Sequence, residues 1–200
     1  MKGKSSRRLR TYAIAVLVLL GALVIPVAAT AAVETFHRFE AVATANYTVT
    51  QTCPDGSTVQ TLVTVIGGHE EEQEDGVTTL DHDFLTVLFR GRDCAGFLSD
   101  RGSTNAAEFS HSPSLQTASV AGTVTTNGGR TVTVDIAWEG TGPLEVTSNT
   151  TTFQGFTGHF VGRERDAVAT GTVVVNGQTL VNGSTTNARI ETLEDTNIRH

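Results

Sequence analysis

Carboxylates dominate the most unusual stretch of this sequence. His69-Glu70-Glu71-Glu72-Gln73-Glu74-Asp75-Gly76 is nearly all acidic, and Asp81-His82-Asp83 follows closely. A hard cation such as calcium takes several oxygens that reach one centre. A loop over residues 69–76 therefore makes Glu70, Glu72, Glu74 and Asp75 candidate calcium ligands. The spacing is not that of an EF-hand, and the competing reading is a solvated acidic loop that keeps a sheet edge soluble. A zinc or copper site at His69, Asp81 and His82 has less behind it, because no His-x-His or His-x-x-x-His spacing occurs. No other cofactor is expected.

Nucleophilic chemistry has a thinner signature. The sequence contains no Gly-x-Ser-x-Gly, and Ser110 and His111 are neighbours that face opposite sides of a strand. Triads and carboxylate pairs are recognised by geometry, not by spacing, so catalytic residues stay unassigned and a hydrolase is one alternative. Sugar stacking needs exposed aromatic platforms. Trp138 instead alternates in register with Val132, Val134 and Ile136, and Tyr47 with Phe39 and Val49, which places both in the core. His159 and Arg163 share one face of a long strand that begins near Phe156. In a closed barrel they would line a polar lumen, which is the second alternative, a small-ligand carrier.

The elements that must position these residues are strands. Period-two alternation runs through most of the chain after residue 32, and no window there has convincing helical periodicity. From Phe36 to Cys53 the odd positions carry Phe39, Ala41, Ala43, Ala45, Tyr47 and Val49, a face that belongs inside. Cys53-Pro54-Asp55-Gly56 supplies a turn. Asn176-Gly177 between two β-branched runs is a strong hairpin signal, and Asn127-Gly128-Gly129 is a second. The segment 84–89, apolar on both faces, suits a central strand. Short connections between consecutive strands imply an antiparallel meander of about 8–10 strands. The expected architecture is all-β: one domain over residues 32–200, a single β-sandwich or closed β-barrel.

The N-terminus reads differently. Lys2, Lys4, Arg7, Arg8 and Arg10 precede an apolar run from Thr11 to Ile25, and Pro26 and small residues follow. That three-part pattern is a helical signal peptide over residues 1–31, cleaved near Ala31. The apolar run falls short of the ~20 residues that span a bilayer, so no stable membrane anchor is expected after cleavage. Loss of those five basic residues takes the formal net charge from −7 to −12, and the basic residues that remain are all Arg. Nucleic acid is thereby excluded as a partner, because phosphate binding needs a basic face; cations are attracted instead. Export also accounts for the two cysteines. Cys53 and Cys94 are expected to form one disulfide in an oxidising compartment, a redox or metal pair being the alternative without a Cys-x-x-Cys spacing.

Val134-Asp135-Ile136-Ala137-Trp138-Glu139-Gly140-Thr141-Gly142-Pro143-Leu144, with a cysteine pair before it and long polar strands after it, resembles secreted bacterial all-β proteins that carry no assigned function. The resemblance implies a cell-envelope or extracellular location and no particular activity. The leading expectation is a non-enzymatic extracellular binding or structural module, a monomer or weak oligomer.

Overall fold

The computed structural model describes residues 34–199, so the signal-peptide expectation for residues 1–31 lies outside the described residues. Ten antiparallel strands account for nearly all of this stretch: β1 (Glu34–Thr52), β2 (Thr58–Glu74), β3 (Val77–Asp93), β4 (Gly96–Thr104), β5 (Glu108–His111), β6 (Thr117–Thr125), β7 (Thr131–Gly140), β8 (Glu145–Phe153), β9 (Phe156–Val175) and β10 (Gln178–Arg199). They form a single sheet in the order β4-β3-β2-β1-β10-β9-β7-β6-β5. β8 lies off this path and pairs with β9 beyond the end of β7.

Turn chemistry sets the hairpins. Asp75-Gly76, Gln154-Gly155 and Asn176-Gly177 each place two residues at positive φ between paired strands. That is the type I′ geometry whose twist matches the flanking strands. Asn176 Oδ1 also accepts a hydrogen bond from the Thr131 N–H at 2.9 Å, which ties this turn to the start of β7.

The first and last strands meet in the middle of the sheet, from Glu34↔Arg199 to Ala45↔Ala188. The sheet then rolls until its two ends approach, but the backbone pairing between them is limited to an isolated bridge between Gly102 and Thr126. It is therefore not closed into a barrel, which corrects the closed-barrel expectation. One residue pins this contact. Asp100 accepts hydrogen bonds from Thr126 Oγ1 at 2.7 Å and from the Gly128 N–H at 3.0 Å, and Arg130 lies 3.7 Å away.

Burial raises the Asp100 carboxyl, but the Thr126 hydroxyl, the Gly128 and Arg101 N–H groups and the Arg130 charge together outweigh it and hold the group below the usual carboxylate range. A carboxyl depressed in the folded state contributes stability that is present above the unfolded value of 3.8 and is lost as pH falls through the lowered folded value. Acid titration of the melting midpoint should show this loss below about pH 4, with a shallower slope in Asp100→Asn; parallel slopes would remove Asp100 as the cause.

The roll encloses a filled core. Ala43, Ala45 and Tyr47 of β1, Val63 and Val65 of β2, and Leu85, Val87 and Phe89 of β3 pack on Val120 and Val124 of β6 and Val132, Val134, Ile136 and Trp138 of β7. Ala169 and Val173 of β9 and Ile190 of β10 complete it, and Leu115 closes one end. The expected odd-numbered face of β1 and the Val132–Trp138 face of β7 both point inward. Two glycines record close approaches. A Cβ on Gly67 would sit 2.6 Å from the Val120 side chain of the facing layer, and one on Gly171 would sit 2.1 Å from the Asp135 carbonyl oxygen of the neighbouring strand β7. Tyr47 is core as expected; its buried hydroxyl has no partner, and burial pushes it up to about 12.

The segment 84–89 takes a different place from the central one expected. β3 is the second strand from an edge. On its even-numbered side Phe84 and Leu88 are only partly covered while Thr86 is buried, so its apolar character reflects packing on one face plus partial shielding on the other. Cys53 and Cys94 form the disulfide, with Cα atoms 5.4 Å apart. Among the described residues no helix is long and apolar enough to cross a membrane.

Candidate functional site

Five strands continue well past the core. Residues 34–40 of β1, 68–74 of β2, 77–84 of β3, 156–165 of β9 and 191–199 of β10 form an overhang, and β8 extends it at one side. Apart from Thr192, side chains there are half-buried or exposed. Stability alone does not require strands that leave their core behind, so the overhang is where functional side chains are to be sought. Period-two geometry divides it into two faces.

On the outer face, β8, β9, β10 and β1 shape a groove of about 430 Å³. Val42, Phe160 and Leu193 provide apolar surface, and Glu40, Glu145, Glu164 and Glu191 supply carboxylates. Register explains the convergence. Glu191 sits opposite Glu164 on β9 and Val42 on β1, while Glu145 sits opposite Glu164 from the β8 side. Arg189 offsets part of this charge, 3.4 Å from Glu164 and 3.6 Å from Glu191. Burial pushes the Glu191 carboxyl up, Arg189 pulls it down, and Glu164 and Glu40 push it further up; the net direction is upward. Glu145 has no ion pair among the described residues.

On the inner face, two histidine rings lie against Phe39. His69 and His111 lie with ring centroids 6.5 Å and 5.9 Å from it, and His37 is two residues along the same strand. His69 Nδ1 hydrogen-bonds Asp83 Oδ1 at 2.9 Å, and Asp83 Oδ2 accepts the Phe109 N–H at 2.9 Å. The remaining imidazole nitrogen of His69, Nε2, lies 3.9 Å from Asp81. A fixed His-carboxylate pair is two-thirds of a triad, but the hydroxyls of this region are committed elsewhere: Ser110 pairs with Ser119, and Ser112 accepts the N–H groups of its own turn. His37 approaches Glu194 at 3.4 Å, and Arg163 approaches the same carboxylate at 3.8 Å.

The sequence-based candidates are placed as follows. Residues 69–74 are strand, not loop, and only Asp75-Gly76 turns, which corrects the acidic-loop expectation; the acidic run alternates faces because it is the second half of β2. Glu70, Glu72 and Glu74 do share the outer face. Arg38 donates to Glu70 at 2.5 Å and lies 3.8 Å from Glu72, and it also lies 3.5 Å from Glu40. Asp75 turns away and accepts the Thr35 N–H at 2.8 Å. Among the described residues no three His, Cys, Asp or Glu side chains are gathered as metal ligands. Because the sheet is open and its core filled, there is no lumen for His159 and Arg163 to line. His159 is exposed, and Arg163 faces Glu194. His82 lies on the outer face, opposite Glu70 and away from His69.

Sequence reasoning missed the Glu40–Glu145–Glu164–Glu191 groove. Each glutamate is unremarkable in its own strand; only pairing four strands in register makes them neighbours.

No protein-family model and no curated protein matches the chain. A solved structure with detectable similarity is that of a protein from Nitrosomonas europaea described as a “putative AttH”. It is 11% identical, with a TM-score of 0.22, and the alignment covers 84% of this chain. The chain spans about half, 51%, of that protein's length.

Proposed function

We propose that this protein is an exported, non-enzymatic binding module of the bacterial envelope or extracellular space, and that its outer groove receives a cationic group carried on an apolar body. The observation that carries this reading is the groove itself. Four glutamates share one concavity. Arg189 pairs with Glu164 and Glu191, Arg38 lies 3.5 Å from Glu40, and Arg163, which also lines the groove, reaches Glu194. Glu145 thus has no ion pair among the described residues, and Glu191 is held half-buried among carboxylates. An ammonium or guanidinium entering the groove would relieve that repulsion while Val42, Phe160 and Leu193 take up apolar surface. A chain so acidic also draws cations toward it, and the disulfide fits an oxidising compartment.

Phenethylamine, one ammonium on a small apolar body, is a suitable probe. A ligand that binds only the native state raises the melting midpoint. Millimolar phenethylamine should raise it more than methylamine does, and the difference should vanish in Glu164→Gln/Glu191→Gln. It should persist in Glu70→Gln/Glu72→Gln, which removes the same charge elsewhere on the same face. Equal shifts in both double variants, or no shift in the parent, would overturn the proposal.

One observation favours a second reading. Facing carboxylates whose surroundings push one of them upward are also what glycoside cleavage uses. Turnover of an aryl glycoside that disappears in Glu191→Gln would replace the binding module with a hydrolase.

A further inference from the structure

Among the strands that end the sheet in the described residues, all but one are blunted against pairing with another chain. The β5 edge is four residues long. β4 is held at Gly102 by its bridge to Thr126. The free reach of β3, beyond the end of β4, carries Asp81 and Asp83 and lies across from a register shift at Glu72/Gln73. Charges, short strands and irregularities are the usual means of blunting an edge. β8 has none of them. It is nine residues long, exposed throughout, free of proline, lysine and bulges, and uncharged from Val146 to Phe153.

Its hydrogen-bonding pattern follows from the turn. Gln154-Gly155 is a two-residue loop, so Phe153 and Phe156 form a hydrogen-bonded pair, and the odd-numbered residues of β8 direct their backbone groups to β9. Val146, Ser148, Thr150 and Thr152 therefore turn their N–H and C=O groups outward, to the open edge.

We infer that β8 is a self-pairing edge through which two copies of this chain join their sheets antiparallel across a twofold axis at Asn149. In that register Ser148 of one copy meets Thr150 of the other, and Val146 meets Thr152. All the outward backbone groups on both copies are then satisfied, while Thr147 and Thr151 form a cross-strand hydroxyl pair of the kind that stabilises sheets. Self-complementarity favours a second copy as the occupant: the outward backbone groups fall at positions symmetric about Asn149, so an identical strand satisfies every one of them, and residues 146–152 hold no charge. Two chains that are strongly acidic repel each other over most of their surfaces, and this uncharged seam is where they can meet. The axis stands perpendicular to the joined sheet, so the outer faces of both copies lie on one side.

Sedimentation equilibrium over a concentration series, with site-directed crosslinking, tests this. The parent chain should move from one chain mass toward two as concentration rises. Asn149→Asp places like charges directly opposite each other at the axis and should weaken the dimer at least about tenfold. Ser148→Pro removes an outward N–H without touching the β9 ladder and should do the same; the isosteric Asn149→Asp keeps the test valid should the proline variant misfold. Asn149→Cys, self-opposed at a close non-hydrogen-bonded pair, should crosslink under mild oxidation, while Thr147→Cys, which faces Thr151, should not. A parent that stays monomeric, a dimer indifferent to Asn149→Asp, or equal crosslinking at positions 147 and 149 would each overturn the inference.

Discussion

Trp138→Ala should cost about 3–5 kcal/mol of unfolding free energy, the largest effect expected of any core substitution in this chain. Trp138 is 2% exposed and is the bulkiest of the fully buried side chains. Its ring fills the space between β7 and the β1 layer, and its Nε1–H donates to the Thr44 carbonyl at 3.0 Å, across the core from its own strand. Truncation therefore removes packing and a hydrogen bond to the backbone of β1. Trp138→Phe separates the two contributions. It keeps most of the apolar volume but loses the bond to the Thr44 carbonyl, which remains within the paired stretch of β1, for a smaller loss of roughly 0.5–1.5 kcal/mol from that bond. Denaturant melts would show a fall in midpoint at constant slope in both variants. A Trp138→Ala loss below about 1 kcal/mol would mean that the core collapses around the gap. The same burial removes Trp138 as a sugar platform, since a side chain enclosed on all sides offers no face to a ligand.

What could be read from the sequence, and what could not, divides along a physical line. The inward face of β1 and the Val132–Trp138 face of β7 were legible because alternation within one strand decides which side chains share a face. The Asn176-Gly177 hairpin was legible because its turn needs positive φ at two successive positions. The acidic run 69–76 was misread as a loop because charge resembles solvent exposure. In an overhang covered on its inner face only in part, by the short β5, glutamates can occupy both faces of a strand, as Glu70 and Glu71 do here. The closed barrel failed for a different reason. Strand count and hairpin order do not say where the edges fall, and here the first and last described strands pair with each other while β4 and β5 are left at the two ends of the sheet. The groove needed more still, because Glu191 acquires meaning only when β8, β9, β10 and β1 are aligned residue by residue. Within-strand pattern is local information, whereas a site assembled across strands depends on register.

Removal of the Cys53–Cys94 disulfide should lower stability by roughly 2–4 kcal/mol. The bond joins the turn after β1 to the turn after β3, residues 41 apart in sequence. Between those turns β2 and β3 are paired only as far as Thr61↔Gly91, with Thr61 Oγ1 donating to the Arg92 carbonyl at 2.9 Å beyond the last rung. The disulfide thus holds the end of two adjacent hairpins where the backbone ladder has stopped. Closing a loop of this length in the unfolded chain gives roughly 4 kcal/mol in the chain-entropy model. Some of that is offset when residual β2–β3 pairing already brings the turns near each other in the unfolded ensemble. Comparing denaturant midpoints of the parent and Cys53→Ser/Cys94→Ser measures the total. Hydrogen exchange then separates a local effect from a global one. Faster exchange confined to residues near 52–58 and 92–96 would mean that the bond only prevents fraying, whereas faster exchange at the core positions Val65 and Val87 would mean that it restrains the whole unfolded chain. With a net stability of 5–15 kcal/mol typical of folded domains, the second outcome would make folding depend on the oxidising compartment in which this bond persists.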